Sequence, residues 1–151
     1  MSKLHVEAEG LAQAAPEAVW ELVADADSYQ NWGPWSASGY ENTGDEASRG
    51  AGAIRWMRYG RTTTVERVVE SVPASRLAYT VLKGIPVRNY LAEVTLTPIA
   101  PEGTSVRWTA TWDGTFTGRM VHRRLQQVYQ RVMTALIAAA DQKDASRTHD
   151  R

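Results

Sequence analysis

Gly103-Thr104-Ser105-Val106-Arg107-Trp108-Thr109-Ala110-Thr111-Trp112-Asp113 alternates, and Phe116 to Gln142, which follows it, does not. In the first stretch Val106, Trp108, Ala110 and Trp112 share one side, against Ser105, Arg107, Thr109 and Thr111. That period of two belongs to a strand with one buried face. In the second, Val121, Leu125, Val128, Tyr129, Val132, Leu136 and Ala139 fall on one broad face at helical spacing, and Arg123, Arg124, Gln127, Gln130, Arg131 and Thr134 fall opposite. The spacing predicts one amphipathic helix over 116–142, about 40 Å long. Such a helix needs an apolar surface to lie on, and the rest of the chain must supply it.

Upstream, runs rich in β-formers are separated by turn residues. They predict strands near 37–44, 51–59, 62–72, 76–83 and 87–99, with turns at Gly50/Gly52, Gly60, Pro73, Gly84-Ile85-Pro86 and Pro101-Glu102-Gly103. Residues 3–11 alternate and add a first strand. Pro16 opens a short helix to Ala24. A second short helix spans 25–32, capped by Asp25 or Asp27 and broken by Trp32-Gly33-Pro34-Trp35. The fold class is therefore α+β, with seven antiparallel strands in a sheet that twists and curls around one long helix. A curled sheet does not close fully on a single helix, so a cavity is predicted between them. Residues 1–143 form one domain and 144–151 a polar, frayed tail.

Composition sets further bounds. The 151 residues carry seventeen Lys+Arg and seventeen Asp+Glu, so no long-range field favours a nucleic acid or an anionic membrane. There is no cysteine, which removes disulfides, thiolate nucleophiles and Cys-based metal sites. No His/Asp/Glu group has metal spacing, and neither a phosphate-binding glycine loop nor a nucleophile elbow is present, so no metal and no cofactor are expected. The longest apolar run, Ala135 to Ala140, is far short of a membrane span. The opening residues are acidic where an export signal is apolar, and a cytoplasmic protein is expected. Of thirteen aromatics, six are Trp, six are Tyr and only Phe116 lacks a polar handle. Trp and Tyr bury much area but require hydrogen-bond partners, which suits an interior with polar groups or a wet space.

Strand parity assigns the cavity wall. Tyr90, Ala92, Val94 and Leu96 face inward on one strand, Leu77, Tyr79 and Val81 on another. On 51–59 the favoured inward set is Ile54, Trp56 and Arg58; on 62–72 parity assigns no face. The expected lining is Trp56, Tyr79, Val81, Tyr90, Trp108 and Trp112, joined by Ile85 and Pro86 at the mouth and Leu125 and Tyr129 from the helix. Arg58 and Arg88 are its charged members, suited to a carbonyl, phenolate or carboxylate. Arg58 alternatively faces Glu66 across a hairpin. His122 lies at the edge of the helix's apolar face, either as a proton carrier or as a satisfied edge histidine.

Ala15-Pro16-Glu17-Ala18-Val19-Trp20-Glu21-Leu22-Val23-Ala24-Asp25, then Tyr29 and Trp32-Gly33-Pro34-Trp35, resemble the opening of START-like (SRPBCC) proteins of the polyketide cyclase/dehydrase and lipid transport group. Glu66 with Val68, Pro73, Leu77-Ala78-Tyr79, Gly84-Ile85-Pro86 and Gly103 to Trp108 extend the resemblance over about residues 4–140. It implies a Bet v 1-like helix-grip fold and a hydrophobic ligand, but this scaffold carries many functions. Two readings share the lining. One is a cyclase/aromatase-like enzyme, with Arg58, Arg88, Tyr79, Tyr90 and His122 polarising ketones or moving protons. The other is a non-catalytic carrier or sensor of a lipid or small molecule. A protein-interaction module ranks behind both. The expected assembly is a monomer or homodimer.

Overall fold

The computed structural model describes residues 2–43 and 50–149, with side chains as far as Ser146. Its elements are β1 (Lys3–Ala12), α1 (Pro16–Ala24), a 3-10 turn (Ala26–Ser28), α2 (Tyr29–Trp32), β2 (Ala37–Asn42), β3 (Ile54–Tyr59), β4 (Thr62–Val72), β5 (Arg76–Lys83), β6 (Leu91–Pro98), β7 (Thr104–Asp113), α3 (Phe116–Met120) and α4 (His122–His149). The seven strands form one sheet in the order β1-β7-β6-β5-β4-β3-β2, antiparallel throughout. This is the helix-grip architecture: a curled sheet around a long helix, with two short helices after the first strand.

Local chemistry explains the boundaries. Pro16 stands at the first turn of α1, where its missing N–H costs nothing, and the helix buries Ala18, Val19 and Val23. Asp25 caps the following turn by accepting from Asp27 N. Gly60 takes a positive φ of 59°, and with Arg61 it joins β3 to β4 by a two-residue turn. Gly44, the end of the strand predicted over 37–44, lies outside the described residues.

The strands predicted over 51–59 and 87–99 begin later, at Ile54 and Leu91, and the helix predicted over 25–32 is a 3-10 turn followed by the short α2; the larger differences lie at the two ends of the last element. The single helix expected over 116–142 is two. Thr115 caps α3 by accepting from Gly118 N, and the carbonyl of Gly118 accepts from the Trp112 indole at 2.9 Å, which ties the short helix back to β7. The backbone turns at Val121 (φ −91°, ψ −6°) before α4 begins. At the other end, α4 runs to His149, through residues that composition assigns to a frayed tail. The alanine-rich stretch before them has high helix propensity, and the helix runs on past Ala140, the last buried position among the described side chains. Residues 150 and 151 lie outside the described residues.

The helix seats on β1. Val6, Ala8 and Ala12 are buried there, and a Cβ on Gly10 would lie 2.9 Å from both Ile137 Cγ1 and Met133 Sδ. The Gln126 side chain bonds both backbone groups of Glu7, and Asp141 accepts from Gln13 N and Ala14 N. Contact is therefore close along β1. Across the sheet, β4 carries bulges at Val65/Glu66 and Val68/Glu70 that add twist and curl it away from the helix. The space between is the cavity. Gly10→Val should force α4 off its seat and cost about 1–3 kcal/mol, read as a lower denaturant midpoint at unchanged slope.

Candidate functional site

The cavity has a volume of about 200 Å³. Met57, Tyr79, Tyr90 and Trp108 wall it from the sheet; Val121, Leu125, Val128, Tyr129 and Val132 close it from the helix side. Tyr29 and Trp35 cover one end, with their rings tilted at 33° and their centres 4.8 Å apart. The rim holds Tyr59, Thr62, Gly84, Ile85, Pro86 and Arg124, several of them exposed. Tyr59 accepts a hydrogen bond from Arg131 at 2.8 Å.

One carboxyl, Glu66, stands in this wall. It comes from β4 and is directly opposite Arg55 of β3, whose Nε donates to Oε1 at 3.0 Å. Arg55 is fully buried. Its guanidinium lies between two rings, 5.1 Å from the centre of Tyr29 and 4.6 Å from that of Tyr79. Nη1 donates to the Tyr29 hydroxyl at 3.1 Å and to the Val23 carbonyl at 3.4 Å. Nη2 is buried with no hydrogen-bond partner among the described residues. Burial works against the Arg55 charge, but Tyr29, Glu66 and Tyr79 outweigh it and hold the side chain cationic. Burial pushes the Glu66 carboxyl above the usual carboxylate range, with Arg55 opposing.

The tyrosines form a second polar layer. Tyr79 accepts from Trp108 Nε1 at 3.0 Å, and the hydroxyls of Tyr90 and Tyr129 bond each other. Tyr29 donates to the Val23 carbonyl at 2.7 Å, and burial pushes its hydroxyl up to about 12. Burial likewise raises Tyr79, Tyr90 and Tyr129, so all four are neutral phenols at physiological pH. The tyrosine-rich composition is thus used in the interior, with each of these hydroxyls partnered.

Of the side chains singled out from sequence, the fold brings Tyr79, Tyr90, Trp108, Ile85, Pro86, Leu125 and Tyr129 to the cavity. It does not bring the others. The inward face of β3 is Arg55 and Met57, so Trp56 and Arg58 point outward. Trp56 covers Gly39 on the outer face, and Arg58 is exposed, with its Nε 3.4 Å from Thr63 Oγ1. The partner of Glu66 is Arg55, because the two-residue turn at Gly60 places Arg58 opposite Thr63. Arg88 is exposed in the loop before β6. Val81 packs on the core beside the cavity, not in its wall. Trp112 is wholly buried core, stacked 5.8 Å from Tyr90. His122 is half-buried against Trp112 and donates from Nε2 to the His5 carbonyl at 2.8 Å. It is a strap between α4 and β1.

Among the described residues no three His, Asp or Glu side chains are grouped to hold a metal ion, and no helix is long and apolar enough to cross a membrane.

Residues 3–141 match the family model described as polyketide cyclase / dehydrase and lipid transport. The chain belongs to this family. Comparison with curated proteins gives no match. Solved structures of the same architecture include a protein from Thermobifida fusca, 27% identical, with a TM-score of 0.75 over 91% of this chain and 93% of that one. An aromatase/cyclase from a Streptomyces species is 20% identical, with a TM-score of 0.73 over 97% and 96%. The XoxI protein of Bacillus cereus is 21% identical, with a TM-score of 0.70 over 89% and 94%. At these last two identities the likeness speaks for the fold. Of the residues on which the sequence resemblance rests, Tyr29, Trp35, Glu66, Tyr79, Gly84, Ile85, Pro86 and Trp108 line the cavity, and Pro73 and Leu77 do not.

Proposed function

We propose that this member of the polyketide cyclase/dehydrase and lipid transport family binds a small hydrophobic molecule with an aromatic ring, held between the sheet and α4. The observation that carries the reading is the cavity of about 200 Å³, with aromatic and aliphatic walls and one buried carboxyl. Its size supports this ligand class. An apolar cavity of about 150 Å³ takes benzene, while drug-sized ligands occupy about 300–1,000 Å³. One ring or two fused rings match this space. A folded polyketide chain or a two-chain lipid requires the rim to open.

A catalytic reading draws on Glu66 and the phenols. Glu66 takes a proton from the carbon beside a ketone, and a tyrosine O–H donates to the enolate oxygen that develops. This is cyclase-like chemistry carried by Glu66, Tyr79 and Tyr90; Arg58, Arg88 and His122 have no part in it. The protein is proposed to work in the cytoplasm as a monomer or homodimer, without a nucleic-acid partner, in keeping with its balanced charge.

The test is a calorimetric titration with naphthalene as the uncharged two-ring probe, set against Val128→Phe. Val128 lines the cavity from α4 and is half-buried, so the larger ring fills the space from the helix side. Saturable binding by the natural chain and at least a tenfold loss in Val128→Phe, with both proteins folded, is the expected result. Equal affinity in the two proteins would place the ligand elsewhere and overturn the reading.

A further inference from the structure

Glu66 is the feature that an apolar binding cavity does not require. Its side chain is about nine-tenths buried, yet it stands in the cavity wall. Among the described residues its hydrogen-bonding and ion-pair partner is the Nε of Arg55, and that contact occupies Oε1. A buried carboxylate normally has its remaining lone pairs satisfied, because leaving them bare in a low-dielectric site is costly. Among the described residues none of the surrounding hydroxyls bonds Glu66: Tyr29 donates to Val23, Tyr90 and Tyr129 bond each other, and Tyr79 accepts from the Trp108 indole. Oε2 is therefore a strong acceptor facing space that a guest would fill.

The positive charge is placed differently. Arg55 is fully buried between Tyr29 and Tyr79, paired to Glu66, and is not part of the wall. The cation that does line the cavity, Arg124, is exposed at the rim, where solvent weakens its pull. Deep in the cavity, the ionisable side chain in the wall is the Glu66 carboxyl, with its guanidinium partner behind it.

We propose that the cavity selects a neutral aromatic molecule bearing a hydrogen-bond donor, such as a phenolic hydroxyl, with Glu66 as the acceptor, and that it discriminates against carboxylates. This rests on the binding reading above and names its ligand class. The donor satisfies Oε2 without adding charge. A carboxylate on the same ring system offers no proton and sets a second negative charge beside the first.

Three probes on one ring system test it on the full chain at neutral pH: 2-naphthol, naphthalene and 2-naphthoate. The expected order is 2-naphthol about tenfold or more tighter than naphthalene, with 2-naphthoate the weakest. Glu66→Gln supplies the second arm. Its amide oxygen is held by Arg55 Nε, so its NH2 is turned to the cavity and an acceptor becomes a donor. The naphthol advantage should disappear and naphthoate should gain. If the three probes bind the natural chain with similar affinity, or naphthoate leads, the donor selectivity is wrong while the cavity still binds. If none binds, both readings fall. The probe series on the natural chain decides by itself should the variant not fold.

Discussion

Arg55→Met should cost about 3–5 kcal/mol of folding stability, seen as a large fall in the denaturant midpoint. The substitution keeps most of the apolar stem but strands the Glu66 carboxyl, which is buried and has Arg55 as its charged partner. It also removes the donor to Tyr29 and the cation between two rings. The double variant Arg55→Met, Glu66→Leu should recover much of the loss, since replacing both members of a buried ion pair by apolar groups is often neutral or better. A double variant as unstable as the sum of its singles would mean that the two side chains act independently. The pH dependence has a defined sign. A carboxyl whose folded pKa is raised contributes most below its unfolded value of ~4.3 and loses that contribution as pH rises through the folded value. Glu66 is already raised by burial, and without Arg55 it rises further. Arg55→Met should therefore gain stability on acidification from neutrality, relative to the natural chain.

Trp112→Ala is the second large effect, about 3–5 kcal/mol. The indole is wholly buried and stacks with Tyr90, and its N–H holds the Gly118 carbonyl. Its loss leaves a void under the junction of β7 and α4 and frees α3 from the sheet. Because Val121 lines the cavity just beyond α3, ligand affinity should fall together with stability. Trp112→Phe separates the two contributions: it keeps an aromatic ring but not the donor. It should recover most of the stability while amide exchange in α3 stays fast, measured by hydrogen exchange. Slow exchange in Trp112→Phe would show that α3 is held by packing alone.

The strands that were legible are those whose alternation is unbroken. β6 and β7 bury Ala92, Val94 and Leu96, and Val106, Trp108, Ala110 and Trp112, as parity requires. β3 misleads because hydropathy and direction disagree. Arg55 points inward at 0% exposure, while Trp56 turns out over Gly39. Parity weighs side chains one at a time and cannot see that an arginine is tolerable inside when a glutamate and two aromatic rings await it. The signal was nonetheless present. A two-residue turn at Gly60-Arg61 sets Arg55 opposite Glu66 and Arg58 opposite Thr63. β4 has no single parity to find, because its bulges bury Val65 and Glu66 as neighbours. The helix break at Val121 depends on the Trp112 indole reaching Gly118, a tertiary contact that helical periodicity does not register. The candidate site was readable on the side where the sheet is regular and opaque where it bends.

The straps between β1 and α4 have a kinetic meaning. They join positions 117 to 128 residues apart in the chain: His5 to His122, Glu7 to Gln126, Ala14 and Gln13 to Asp141. On a ribosome, every strand emerges before the rod that covers the sheet. Until then an apolar surface stands open to water and to other nascent chains. High contact order of this kind slows folding and lengthens the window for aggregation. A hydrophobic guest that occupies the hollow face as the rod docks shortens that window, so the yield of folded protein should rise when such a molecule is supplied during expression.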